Sequence, residues 1–410
     1  MLLAEAGAAD VSMIESLFWI FAIAVVSPLL SRLSRGYVPD AVLLLAFGVV
    51  VGPHALGWAG RDGLDMLSEL GLGMLFLLAG YELDPKLLSG RTGRVAQASW
   101  LIGLLVAWAS VAAAFSMGLG QAGFTAHIAI AIALTSTALG TLLPILKQAG
   151  LDRSVLGRAV MAHGAVGELG PVLAMSLLLT SRGIAGAIVV LVLFGVAALL
   201  VAITPGAVLS RAPWIGTAVT RMSGGTVQLP VRVVMLLLVS LMTVAAVFDL
   251  DVVLGSFAAG LILRRLIGPE HPEIGRSLEV IGFGVLIPIF FVTSGMNIDV
   301  TAVAAMPGTW MVLVLAIAVA RGLPVWFGAR FVDDGHFLRH PRERTRLALF
   351  AATGLPIIVA VTEVAVDSGL MGQSLASTLV AAGATTVLLF PLIARLIGTA
   401  SPTTGLPTRS

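Results

Sequence analysis

The sequence predicts an all-α polytopic membrane protein of about 13 transmembrane helices, two inverted six-helix repeats joined by a linker helix, with two crossing broken helices. Three observations lead there. The 410 residues are 58% hydrophobic and only 11% charged, and the mean hydropathy of +1.04 is far above that of soluble domains. Lys and Arg gather in alternate connections, and the two halves of the chain share a weak pattern. A net charge of +2 offers no footprint for nucleic acid. The absence of cysteine excludes disulfides, thiolate metal sites and a cysteine nucleophile. The acidic N-terminus lacks the basic region of a secretory signal, so the first apolar run is expected to remain as a membrane helix.

A span needs roughly 20 mostly apolar residues. Candidate runs are 13–31, 38–57, 64–82, 95–118, 125–147, 155–180, 183–204, 229–247, 250–267, 277–296, 302–330, 343–366 and 372–398. Of the 24 Lys and Arg residues, only Arg61 and Arg182 fall in even-numbered connections and Arg321 inside the eleventh span; the others lie in odd-numbered connections or at the C-terminal end. The positive-inside rule then puts the N-terminus outside and the C-terminus in the cytoplasm of a bacterial-type inner membrane.

FLLAGYELD at 76–84 matches FVTSGMNID at 291–299 at an offset of 215, and Gly150, Leu151, Gly164 and Ala165 match Gly369, Leu370, Gly383 and Ala384 at an offset of 219. The pattern divides one membrane domain, 1–398, into repeat one (13–180), a linker helix (183–204) and repeat two (229–398), followed by a short cytoplasmic tail, 399–410. Six spans plus one linker bring the second repeat in from the opposite side, as in secondary transporters. In that arrangement the substrate site lies near the midplane, where helices are interrupted. The fifth span holds Thr135, Ser136, Thr137, Gly140 and Pro144; the twelfth holds Thr353, Gly354 and Pro356 at the matching place. Two ordinary proline-kinked helices are the alternative, and the symmetric placement favours two breaks.

The sixth span carries one carboxylate near its middle, Glu168, among Gly164, Gly167 and Gly170. An ionisable group at that depth costs several kcal/mol and is kept where it lines a pathway or pairs with a partner. Arg321 is the possible charge partner, or it snorkels to the cytoplasm. His163, five residues before Glu168 and about 140° round the helix, faces elsewhere. Glu363 and Asp367 end the twelfth span, where they are solvated or line an access funnel. Asn297 aligns with Glu82 in the repeat and reads as a helix-end residue. The basic loop at 339–346, with His336 and His340, is what a cytoplasmic connection contains, and it can also sense pH or anionic lipid.

These residues resemble the monovalent cation:proton antiporter-2 family, which includes bacterial Na⁺/H⁺ and K⁺/H⁺ exchangers and the membrane part of potassium efflux systems. The resemblance covers about residues 13–398. It rests on Gly48, Gly52, Pro53, Leu56 and Gly57 in the second span, and on Glu69, Gly71, Phe76, Gly80, Glu82 and Leu83 in the third. Leu134, Ser136 and Thr137 carry it in the fifth, Leu254 to Gly260 in the ninth, and Phe290, Phe291, Gly295 and Met296 in the tenth. It implies a sodium/proton antiporter fold, a homodimer, and an ion-binding role for Glu168. Three departures stand out: Gly167 where relatives have a first acid or Gln, no lysine in the tenth span, and Gly354, Leu355 and Pro356 where many relatives have Gly-Glu-Phe. Arg321 resembles the basic residue some relatives place in the eleventh span. The family's nucleotide-binding regulatory domain is not expected after Arg395.

The chemistry follows from one carboxylate, which holds a proton or a dehydrated monovalent cation but hardly both. Glu168 would be the cation ligand, with hydroxyls and carbonyls of Thr135, Ser136 and Thr137 completing a hard oxygen set. The expected partners are protons, Na⁺ or K⁺ and membrane lipid, with no cofactor and no nucleic acid. A single site acid makes one-for-one, electroneutral exchange the expectation. A cation channel or uniporter on the same fold is the alternative. An intramembrane enzyme finds no HExxH, no paired aspartates within spans and no serine–histidine motif.

Overall fold

The structure, a computed structural model, describes residues 2–34, 37–116, 123–148, 150–151, 153–179, 183–211, 228–267, 272–332, 338 and 340–399; within them it is all helical. In chain order the helices are α1 (Leu2–Leu33), α2 (Asp40–Val51), α3 (Asp65–Glu82), α4 (Gly90–Ser116), α5 (Phe124–Leu134), α6 (Leu139–Gln148), α7 (Val155–Leu178) and α8 (Gly183–Arg211). They continue with α9 (Leu229–Val247), α10 (Val252–Ile267), α11 (Pro272–Ile281), α12 (Ile287–Met296), α13 (Val300–Ala305), α14 (Pro307–Ile317), α15 (Leu323–Gly328), α16 (Pro341–Ala351), α17 (Leu355–Asp367) and α18 (Gln373–Thr399). Among the described residues seven helices are long and apolar enough to cross a membrane, or eight if α16 and α17, bent by 41°, form one span. The protein is therefore a multi-pass membrane protein.

Several predicted spans are shorter or less regular than the apolar runs. The end of the second run, 52–57, and the Trp58 that follows turn back on α2, with the amides of Gly57 and Trp58 bonded to the carbonyls of Gly52 and Val51. The fifth run divides into α5 and α6, and the twelfth into α16 and α17. π turns at Gly282–Leu286 and Ala318–Gly322 join α11 to α12 and α14 to α15. Hydrophobicity measures the length of apolar chain, and it is blind to a backbone that turns or widens inside that length.

Local chemistry starts the helices. Ser154 caps α7 by accepting from the Gly157 amide at 2.9 Å, and the Asp251 carboxylate accepts from the Val253 amide at the start of α10. Asp299 accepts from the Thr301 hydroxyl and the Ala302 and Thr301 amides, which hold its carboxyl below the usual carboxylate range. Packing inside lipid depends on close approach. A Cβ on Gly80 would strike the Phe257 carbonyl of α10, and one on Gly260 the Leu77 carbonyl of α3. Leu101, Leu105, Val189, Leu200, Met311 and Leu315 are exposed, as suits helices bathed in hydrocarbon. The buried interior, by contrast, holds Thr135, Ser136, Thr137, His163, Glu168 and Arg321.

Candidate ion site at two helix interruptions

Thr135 ends α5, residues 136–138 are non-helical, and α6 restarts at Leu139. Residues 352–354 interrupt α16 and α17 in the same way. The two interruptions lie against each other. The Ala138 amide donates to the Thr353 carbonyl at 2.7 Å, the Ser136 hydroxyl to the Gly354 carbonyl at 3.2 Å, and the Thr137 hydroxyl to the Ala351 carbonyl. The Thr137 amide donates to the Gly167 carbonyl of α7 at 2.8 Å. Backbone groups freed inside a membrane must find such partners, since no bulk water is there to replace them. Gly354 is required at this contact, because a Cβ there would overlap Ser136.

Gly140 and Pro144, expected at the break, lie inside α6 instead. The interruption sits upstream, at the three hydroxyl residues, because their side chains are bonded to carbonyls. Thr135 donates to Ala131 and Ile132 at 2.9 and 3.2 Å, and Ser136 also reaches Ala133 at 2.9 Å. Pro356 occupies the first turn of α17, where its missing N–H costs no helix bond.

Glu168 projects from α7 and is 4% exposed. The Leu139 amide, first in α6, donates to its carboxylate, so the acid sits at a helix N-terminus, where the dipole favours negative charge. Oε2 has no hydrogen-bond partner. The carboxylate lines a cavity of about 20 Å³ with Phe76, Glu82, Ala138, Gly140, Phe283 and Pro356. That space is about right for one water or one largely dehydrated monovalent cation. Thr135, Ser136 and Thr137 do not line it; the Ser136 and Thr137 hydroxyls tie the interruptions together, while that of Thr135 bonds within α5. The sequence does not mark Glu82 as a neighbour of Glu168, since only the packing of α3 against α6 brings the two acids onto one cavity.

Arg321 is fully buried. Its Nε donates to the Thr137 hydroxyl at 2.9 Å and one Nη to the His163 carbonyl at 2.6 Å, while the other Nη is unsatisfied. No ion pair joins it to Glu168 among the described residues. The reason is helical phase: His163 and Gly167 share a face of α7, and Glu168 lies about 100° further round. Gly167 leaves room for the guanidinium, as a Cβ there would overlap both Thr137 and Arg321. The His163 ring is fully buried, with neither nitrogen hydrogen-bonded.

A far larger cavity, about 900 Å³, lies at the end of the bundle that carries the 52–64 and 297–299 connections. Its charged lining is His54, Arg61, Asp65, Glu69, Asp251, Glu363 and Asp367, so carboxylates prevail. Asn297 lines it too, and Glu363 accepts from the Ser294 hydroxyl at 3.1 Å. Glu168 is not part of this lining.

The family model described as sodium/hydrogen exchanger, transmembrane, matches residues 21–398. The chain is similar to a putative Na⁺/H⁺ antiporter, YjbQ, of Bacillus subtilis, 24% identical over 78% of this chain and 54% of that protein. It is also similar to a probable Na⁺/H⁺ antiporter of Methanocaldococcus jannaschii, 21% identical over 93% and 97%. A third relative is the glutathione-regulated potassium-efflux protein KefC of Klebsiella pneumoniae, 26% identical over 78% and 50%. The chain thus spans about half the length of YjbQ and of KefC. Its fold is that of the sodium proton antiporter MjNhaP1 from M. jannaschii, with a TM-score of 0.65 at 18% identity, covering 94% of this chain and 98% of that one. With a match over nearly its whole length, this chain belongs to the sodium/hydrogen exchanger family of monovalent cation:proton antiporters.

Proposed function

We propose that this protein exchanges a monovalent cation, Na⁺ or K⁺, for a proton by alternating access, with the two ions competing for Glu168. The observation that carries the reading is a buried carboxylate with one oxygen unpartnered, held at the N-terminus of α6 on a cavity of single-ion size. A cation there meets oxygen from Glu168, while Ser136 and Thr137 brace the crossing that shapes the space and Thr135 closes the end of α5. Arg321 holds Thr137 and α7 together and is not the counter-ion of Glu168. One acid exchanging one proton for one cation makes the cycle electroneutral.

The same reading takes α5–α6 and α16–α17 as two crossing broken spans, in two six-span inverted repeats around α8, 13 spans in all. The charge count supports an outer N-terminus and a cytoplasmic C-terminus in a bacterial-type inner membrane, which makes the large acidic cavity the outer vestibule. A homodimer is proposed on family grounds.

The test is exchange in proteoliposomes under an imposed pH gradient with Na⁺, K⁺ and Li⁺. Cation uptake should be matched by proton release and carry no current, and the apparent KM for the cation should rise as pH falls while the maximal rate holds. Cation uptake without proton movement would identify a channel or uniporter. A current, or a rate that follows imposed membrane potential, would sink electroneutrality. Undiminished exchange in Glu168→Gln would refute the site.

A further inference from the structure

A second carboxylate opens onto the Glu168 cavity. Glu82 is the last residue of α3 and half-buried, and it lines the same 20 Å³ space. The end of α3 is fixed from outside: one Nη of Arg264 donates to the carbonyls of Tyr81 and Glu82 at 2.8 and 3.0 Å, and the other lies 4.0 Å from Asp84. The other side chains lining this cavity are apolar, Phe76, Ala79, Phe283 and Pro356 among them, so among the described residues the two carboxylates are its charged groups. Exposure rises from Glu168 to Glu82, that is, towards the end of the bundle bearing Lys86 and Arg264. Two carboxylates on one small cavity repel each other unless a proton or a cation sits between them. Glu168 lines that space, is 4% exposed, and has an Oε2 with no hydrogen-bond partner.

We infer that Glu82 is a second ion-handling group, the staging carboxylate through which protons and monovalent cations pass between Glu168 and water at the Lys86 end. The inference rests on Glu168 being the exchange site and adds a partner with a different task. Glu82 strips part of the hydration shell from an incoming cation and hands the cation to Glu168. The proton that leaves Glu168 departs through Glu82 or its water. Glu82 returns to its starting charge in each cycle, so one proton still replaces one cation.

The experiment is one-sided Na⁺ titration of exchange in proteoliposomes of known orientation, with Glu82→Gln, Glu82→Asp and, in parallel, Glu168→Gln. Removing a nearby charge should raise the apparent KM for Na⁺ about tenfold when Na⁺ is offered at the Lys86 end. The effect should be far smaller from the opposite end, and larger in KM than in maximal rate. Glu82→Asp should recover most of the loss. Na⁺-induced thermal stabilisation of the purified variant, which needs no turnover, should require correspondingly more Na⁺. An unchanged KM and unchanged Na⁺ stabilisation in Glu82→Gln would overturn the inference. So would an equal loss from both ends with Glu82→Asp no better than Glu82→Gln, which assigns Glu82 to helix-end structure. Loss of exchange in Glu168→Gln beside an unaltered Glu82→Gln would sink this inference alone. Retained exchange in Glu168→Gln would sink the reading beneath it.

Discussion

The two interruptions are built alike and furnished differently. Each leaves three or four residues out of helix, and donors of the first, the Ala138 amide and the Ser136 and Thr137 hydroxyls, satisfy carbonyls at the second. Next to the first, α6 begins by donating an amide to a carboxylate, Glu168. At the matching place in the proposed second repeat, offset by 219 residues, stands Val387, apolar and 1% exposed. On the proposed reading the scaffold is doubled and the ion chemistry is single. In that reading the crossing provides rigidity and a dry shaped space, and the residue at 168 or 387 sets which half carries the charge.

The two interruptions differ most at Glu168. Glu168→Gln should lower exchange by about 100-fold or more, since an amide cannot exchange a proton for a cation, with folding preserved in a detergent melting curve. The converse change is next in size. Val387→Glu should cost about 3 kcal/mol, the order of an acid buried at bilayer depth. Combined with Glu168→Gln it should restore no exchange; restored exchange would mean that the crossing alone makes the site. The hydroxyls of the two breaks differ as well. Thr137→Val removes the acceptor of a buried guanidinium and should cost about 2–3 kcal/mol, whereas Thr353→Val removes a bond to the Phe350 carbonyl within one turn and should cost about 1 kcal/mol. Equal losses in thermal unfolding would show that Arg321 does not lean on Thr137. The smallest effect belongs to the vestibule: Glu363→Gln should raise the cation KM by about twofold at low ionic strength, and the difference should fade in 0.5 M choline chloride at a Debye length of about 4 Å.

Much of this was readable in the chain because hydropathy and the placement of arginines are properties of composition along a line. The helix at Leu229–Val247 falls on its predicted run, and Glu168 stands out as a lone acid in an apolar stretch. What escaped depends on contacts between distant segments. Gly140 and Pro144 attract attention as helix breakers, yet the chain breaks at Thr135 to Ala138, because partners at 351–354 reward an open backbone there. Arg321 and Glu168 suggest a pair by charge, and helical phase on α7 separates them. Glu82 ends one helix in a motif shared with Asn297, and nothing local says that its carboxylate looks onto α7.

The π turn at Ala318–Gly322 gives Arg321 a second significance. A π turn holds one residue more than the α-helix around it, which offsets everything on one side by roughly 100° relative to the other. Both sides are pinned by tryptophan: Trp310 in α14 donates to Thr385 at 3.2 Å, and Trp326 in α15 donates to Thr345 at 3.2 Å. The turn thus works as a phase corrector between two anchors, and Arg321 sits where the mismatch is absorbed. Deleting a single residue there would leave composition and hydropathy almost untouched, yet one of the two tryptophans would have to let go or the arginine would swing away from Thr137.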